Sequence, residues 1–304
     1  MASDILCFGE ALGEFNQTRP GEPHYLFGFG GDTSNCAIAA ARSGASVGVI
    51  GAIGDDAFGE DFIALWAREG VDTSGMRRVT GGDTGLYFVT HGPDGHAFSY
   101  RRSGSAAARI TAADVPLDRV RSARILHVSG ISQAISDSAS EAVLAAIAAA
   151  RAAGVTVSYD TNLRLRLWPL EKARAVTNAA MRLADIALPG MDDARQLTGR
   201  ETPDAICDFY LEGGSRIVAL TLGKEGALIA TPQERRVIPS ISVNAVDATG
   251  AGDCFDGAFL AEWLRTQDPF AAGRYACVAA ALSTRGYGAV APLPRREEVL
   301  AAMG

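Results

Sequence analysis

The chain reads as one α/β domain: a mainly parallel central sheet covered by helices on both faces, with a small β lid beside it. Three observations predict this. Short, nearly continuous apolar runs alternate with alanine-rich stretches of helical period. That is the pattern of strands buried on both sides and joined by crossover helices. Two segments, at about residues 12–30 and 84–102, break the rhythm and carry turn residues without a helical period. No repeat, low-complexity tract or Pro/Ser linker separates two halves, so a single domain is expected over residues 1–304, with the lid built from the two interruptions.

In chain order, Ile5-Leu6-Cys7-Phe8-Gly9 is the first buried strand. The stretch after it contains Pro20-Gly21 and Pro23 and is assigned to the lid. Residues 35–43 form a helix, Val47-Gly48-Val49-Ile50-Gly51 a strand, and residues 61–69 a helix. Residues 86–90 and 97–101 read as two strands flanking Gly92-Pro93-Asp94-Gly95, whose residues supply the φ values of a tight turn. The lid is therefore expected to be antiparallel. A strand at residues 125–128 follows. Ser138 with Glu141 suggests a capping box before a helix at residues 142–153. Strands at residues 155–159, 185–188 and 217–221 continue the alternation.

Hydrophobic residues make up 48% of the chain and charged residues 21%, which excludes a mainly disordered protein. Twenty-eight basic against 35 acidic side chains give a net charge of −7. Global charge is thus wrong for holding a nucleic acid, though a local basic pocket for a small anion is allowed. Cys7, Cys36, Cys207, Cys254 and Cys277 form no CxxC pair and read as small buried hydrophobes in a reducing compartment. The first residues lack a basic n-region and a long apolar h-region, and no charge-free run is long enough for a bilayer. A cytoplasmic protein with no membrane partner is expected. His24, His91, His96 and His127 show no metal-ligand spacing, so the protein itself is expected to build no metal site.

The strongest chemical signal is Asp247-Ala248-Thr249-Gly250-Ala251-Gly252-Asp253-Cys254-Phe255, a glycine-rich loop running into an apolar helix. Unpaired N–H groups of Gly250, Ala251 and Gly252 at such a helix start bind an anion, and glycine lets phosphate approach. Gly252 is expected where phosphate meets backbone, in a loop that could need a left-handed conformation. Asp253 is placed to act as a general base, or, in the plainer reading, as an N-cap. No GxxxxGK[ST] loop and no complete GxGxxG fingerprint occurs. The second signal, Gly30-Gly31-Asp32-Thr33-Ser34-Asn35, also opens a helix. Its polar groups suit sugar hydroxyls, although capping explains Asp32 and Ser34 equally well.

These two motifs, in this order at the two ends of the chain, resemble the signatures of the ribokinase-like (phosphofructokinase-B) carbohydrate kinases. Gly51-Ala52-Ile53-Gly54-Asp55-Asp56-Ala57-Phe58-Gly59 is similar to a third stretch of that family, and the resemblance covers essentially the whole chain. It implies a three-layer α/β/α fold with a β lid, ATP as phosphoryl donor with its Mg²⁺, and Asp253 as base. On the sugar side it implies Gly31, Asp32 and Asn35.

Gly85-Leu86-Tyr87, Tyr100-Arg101-Arg102 and the run from Asp160 to Trp168 look like the 2-keto-3-deoxygluconate kinase branch. The resemblance makes Tyr87, Tyr100, Arg102 and Arg164 substrate ligands, with guanidinium forks for a carboxylate. Arg166 is a second arginine on the same loop. On the nucleotide side it implies Asn162, Thr221, Gly223, Lys224, Gly226, Gly250, Gly252 and Cys277. Lys224 serves equally as a solvated turn residue, and Cys277 stands where relatives carry an Asn near the adenine. The family's Asn/Ser-x-x-Glu, near metal-bound water and phosphate, appears here as Gly190-Met191-Asp192-Asp193. A monovalent cation near Asp247 and Thr249 is implied by resemblance alone.

The reading is an ATP-dependent kinase for a sugar acid at its primary hydroxyl, 2-keto-3-deoxygluconate giving its 6-phosphate. Its rivals are a kinase for a neutral sugar such as fructose, or for a nucleoside, and a non-catalytic ligand-binding regulator on the same fold. Relatives pair through the lid, and Phe27, Phe29, Phe88 and Phe98 could form such a face.

Overall fold

The computed structural model describes residues 3–92 and 95–304. Pro93 and Asp94, the centre of the expected lid turn, lie outside the described residues. The chain opens with β1 (Ile5–Phe8), β2 (Leu12–Gln17), β3 (Tyr25–Gly30), α1 (Asp32–Arg42), β4 (Val47–Gly54), α2 (Ala57–Arg68) and β5 (Asp72–Val79). It continues through β6 (Gly85–Gly92), β7 (Gly95–Arg101), α3 (Leu117–Ser122), β8 (Ile125–Ser129), α4 (Gly130–Ala134), α5 (Asp137–Ala152) and β9 (Thr156–Asp160). Then come α6 (Leu170–Met181), β10 (Ile186–Leu188), α7 (Met191–Thr198), α8 (Pro203–Glu212), β11 (Ile217–Thr221), β12 (Ala227–Ala230) and β13 (Arg235–Ile238). Three helices close it: α9 (Ala251–Thr266), α10 (Pro269–Ser283) and α11 (Arg296–Met303).

Nine strands form one sheet in the order β13-β12-β11-β10-β9-β8-β1-β4-β5. All its pairs from β11 to β5 are parallel, and the antiparallel pairs are β11–β12 and β12–β13, so β12 alone is reversed. Alternation along β1 divides the core: Ile5 and Cys7 face the layer containing α1, α9 and α10, whereas Leu6 and Phe8 face the layer containing α5 and α8. The architecture is the three-layer α/β/α expected.

Three strands of this sheet are absent from the sequence reading: β12, only four residues long, and the two edges, β5 and β13. β13 is exposed at three of its four residues, and no residue of β5 is buried, so neither carries the apolar run that marks a central strand. The expected cap of α5 is corrected. Ser136, not Ser138, accepts the Ala139 N–H at 3.0 Å, and the helix begins at Asp137. Ser136 has the extended backbone a cap requires, whereas Ser138 is already inside the first turn.

The two interruptions of the α/β rhythm form a separate four-stranded sheet, β3-β2-β6-β7. It is not wholly antiparallel, because β2 and β6 run parallel. Phe15, Phe27 and Phe88 pack on one face, with Phe15 and Phe88 stacked 5.1 Å apart. Phe29 packs on Phe62 of the body at 5.0 Å, and Phe98 lies on the opposite face with Tyr87 and Tyr100.

Helices α1 and α9 touch backbone to backbone. A Cβ added at Gly257 would sit 2.2 Å from the Cys36 carbonyl oxygen, so only glycine permits this crossing. All five cysteines are free and buried. Among the described residues no helix is long and apolar enough to cross a membrane.

Candidate active site

A cavity of about 890 Å³ opens at the carboxyl ends of β1, β9, β10 and β11, beneath the small sheet. Open parallel sheets bind ligands at this edge. The N-terminus of α9 points into it. Gly250 caps that helix in a left-handed conformation, φ 76°, and a Cβ there would press on Ala289 at 3.0 Å. The left-handed requirement therefore falls on Gly250 and not on Gly252, which is already helical. The expected set of free N–H groups also shifts. Ala251 N–H is engaged by the Ala248 carbonyl at 3.2 Å, and the first intrahelical bond is Cys254 N–H to Gly250 O. Ala251 thus leaves the expected set, Gly250 and Gly252 stay in it, and Asp253 N–H joins them at the first turn.

Asp253 receives a 2.7 Å hydrogen bond from Asn35 Nδ2, which joins the two glycine motifs across 218 residues. Enclosure by protein pushes its carboxyl up to about 7, the charge of Asp32 adds to that, and Asn35 and Arg164 oppose it. Asp32, held by the Ser129 hydroxyl, keeps its Oδ1 buried without a partner, as does Asn35 its Oδ1. These are two acceptors awaiting donors, the complement of sugar hydroxyls.

The two expected arginine ligands differ sharply. Arg102 is buried and its guanidinium is paired with Glu10, which also accepts from Ser105 Oγ at 3.0 Å. It lines the cavity as well, but as a cation already paired inside the protein. Arg164 lines the cavity, is exposed, bonds only the Leu163 carbonyl, and forms no ion pair among the described residues. Arg166 also lines the cavity and donates to the Phe98 carbonyl at 2.6 Å, which ties its loop to β7. Tyr87, Phe98 and Tyr100 roof the cavity, with the Tyr87 hydroxyl donating to Glu14.

If the Glu10–Arg102 pair is structural, Arg102→Met should cost about 3–5 kcal/mol at neutral pH by stranding a buried carboxylate. Thermal melting checks this. A normal melt with only the sugar KM raised would make Arg102 a ligand after all.

Comparison with known proteins decides what this arrangement belongs to. Residues 2–296 match the model of the pfkB family carbohydrate kinases. The chain belongs to the pfkB family of carbohydrate kinases. This kinase is 34% identical to a 2-dehydro-3-deoxygluconokinase of Thermoproteus tenax, over 97% of its own length and 93% of the relative's. It is 33% identical to fructokinase-2 of Solanum habrochaites, over 97% and 94%. A crystal structure of fructokinase with bound ATP from Xylella fastidiosa superposes with a TM-score of 0.90 at 27% identity, covering 98% and 97% of the two chains. The kinase is thus an ATP-dependent sugar kinase.

The nucleotide-side residues are only partly gathered. Asn162 and Thr221 line the cavity with Gly250 and Gly252. Gly223, Lys224 and Gly226 lie beyond its wall in the turn after β11, where Lys224 is exposed. Cys277 faces the core: it is 3% exposed and its thiol points to the Ile238 carbonyl at 3.7 Å, so it offers nothing to an adenine. Asp247 is filled by protein donors, accepting from Thr249 N–H and Oγ1 at 2.9 and 2.7 Å and from Gly288 N–H at 3.0 Å. Its side chain staples two loops and does not present an open cation site.

Four acids of the kinase escaped the sequence reading. Glu10 and Glu14 follow β1 with the look of ordinary loop and strand residues, and Asp160 and Asp256 line the cavity beside Asp253. Asp256 lies three residues after Asp253, hence on the same face of α9, and that spacing was the available signal. Burial and mutual proximity hold the carboxyls of Asp160 and Asp256 well above the usual range.

Gly252 offers a clean test of the helix terminus. A Cβ there meets nothing within 4 Å and faces the cavity. Gly252→Val should therefore change the melting temperature little while lowering turnover at least about tenfold, as a branched side chain blocks an anion site built on backbone N–H groups. Full activity would remove phosphate from this terminus.

Proposed function

We propose that this kinase phosphorylates a sugar acid at its primary hydroxyl, with 2-keto-3-deoxygluconate giving the 6-phosphate. The observation that carries the reading is Arg164, an exposed and unpaired guanidinium in the wall of a cavity otherwise dominated by acids. A carboxylate is the group that satisfies it bidentately. Tyr100 completes this end, Asp32 and Asn35 take hydroxyls through their unpaired oxygens, and Asp253 lies at the reacting end.

Asp253 accepts the hydroxyl proton as the oxygen attacks the γ-phosphorus of ATP. A carboxyl poised near 7 combines ionised population with basicity. Gly252 and Asp253 N–H groups, at the positive end of α9, stabilise charge on the transferring phosphoryl group. Mg²⁺ bound to ATP would neutralise charge on the phosphates. The small sheet acts as the lid, and its aromatic face excludes water, the competing acceptor. Of the four phenylalanines offered for pairing of two copies through the lid, Phe27 and Phe88 lie on its other face, where Phe27 also packs on Phe58 of α2, and the free buried cysteines suit a cytoplasmic setting.

The rival is a neutral sugar, as the fructokinase relatives indicate. A coupled ADP-release assay over a panel of 2-keto sugar acids and the matching neutral sugars decides. Preference for the acid by kcat/KM is expected, and preference for fructose overturns the substrate while leaving the kinase.

A further inference from the structure

Asp193 is a cavity carboxylate that the mechanism above leaves without work. It lies in the first turn of α7, at the end of the segment Gly190-Met191-Asp192-Asp193. The position before that turn is Gly190, which has no side chain to offer a ligand. Asp193 Oδ2 instead accepts the Leu163 N–H at 2.8 Å. The neighbouring N–H, of Asn162, is accepted by Asp160 Oδ1 at 3.1 Å.

Asn162 stands at φ 29°, one of two non-glycine residues with positive φ among those described. A turn in that conformation persists only where its surroundings hold it. Here the holders are identifiable: two carboxylates grip successive N–H groups, and Leu163 and Trp168 pack with Ala173 of α6 and Leu197 of α7. The next residue is Arg164, whose charge attracts the Asp193 carboxylate. The whole presentation of Arg164 to the cavity is thus referred back to α7.

We propose that Asp193 is a positioning residue of the sugar subsite: through the Leu163 N–H it fixes the backbone from which Arg164 meets the substrate's charged group, and it does not organise Mg²⁺ or phosphate. This rests on the sugar-acid reading for the identity of that charged group. The short aspartate side chain places its Oδ2 on the Leu163 N–H.

The test separates the sugar from the metal by kinetics. Asp193→Asn keeps a carbonyl acceptor for Leu163 but loses the charge a metal role needs; Asp193→Ala loses both. Asp193→Ala should raise the sugar KM at least about tenfold, the scale of one hydrogen bond to a charged group. Half-saturating Mg²⁺ and the KM for ATP should move less than about twofold. Asp193→Asn should raise the sugar KM less than Asp193→Ala, with Mg²⁺ dependence unmoved. A tenfold or larger rise in half-saturating Mg²⁺ in Asp193→Asn, at constant sugar KM, would overturn the proposal. If Asp193→Ala fails to fold, Asp193→Asn decides by the same split. If wild type prefers a neutral sugar, the substrate reading fails on its own, and the split is read on that sugar: an unmoved sugar KM in both variants overturns the positioning role.

Discussion

Asp253→Asn is expected to lower kcat by about 10²–10⁴-fold, the usual worth of a positioned general base, while leaving the fold intact. The same change should make the protein more stable. Protein on nearly all sides raises this carboxyl from its ordinary range to about 7, so the folded state holds a proton there that the unfolded chain has released. The stability tied to that proton is fully present below the unfolded value, and is lost as pH rises through about 7. Asparagine cannot ionise, so the variant's advantage in melting temperature should appear above the ordinary carboxylate range and grow up to neutrality. The kcat/KM of wild type should fall as pH drops below about 7, and that limb should vanish from the residual activity of the variant. Wild-type turnover in Asp253→Asn would remove the base; an unchanged melting difference across pH 4–8 would mean the cavity solvates the charge after all.

Arg164→Ala is expected to lower kcat/KM for the 2-keto acid by about 10- to 10³-fold, from one or two charge-assisted hydrogen bonds of roughly 1.5–3 kcal/mol each. Lysine should restore only part, because a point charge does not reproduce a planar fork. The loss should be selective: turnover of fructose, expected to be the weaker in wild type, should fall little or rise, since an unpaired cation no longer faces a ligand without an anion. Equal losses on both substrates would assign Arg164 to its loop or to the ATP phosphates. Arg102 makes the contrast, because its charge is already answered by Glu10 and its removal should appear in the melt.

The parallel interior strands and both glycine motifs were legible because each carries a local signal: a continuous apolar run, or glycines next to an acid at a helix start. What escaped depends on partners remote in sequence. Arg102 read as a ligand because its type and place suit an anion; Glu10, 92 residues earlier, takes that charge, and no local pattern announces the pairing. Ser138 read as a cap because Ser136, Ser138 and Ser140 all look alike in sequence, and only backbone conformation chooses among them. Cys277 was placed near adenine by its column in the family pattern, whereas the thiol is consumed by the core. β5 and β13 lost their signal by being edges: one carries Arg77 and Arg78, the other Arg235 and Arg236.

The glycine at the α1–α9 crossing makes alignment of the base a property of the scaffold. Asp253 lies one turn before Gly257 on α9, and Asn35 adjoins Cys36 on α1, so the backbone contact is also the pivot of the 2.7 Å Asn35–Asp253 bond. A methyl group inserted there would act as a wedge, spreading the helices and separating base from partner before the sheet felt anything. The sugar wall is supplied partly by the small sheet and the 160–168 loop, which do not contribute to that pivot, and partly by Asp32 and Asn35, which stand on one of its two helices. Remodelling the sheet and the loop for a new acceptor would therefore leave the pivot undisturbed, whereas a change on α1 would reach the sugar and Asp253 together.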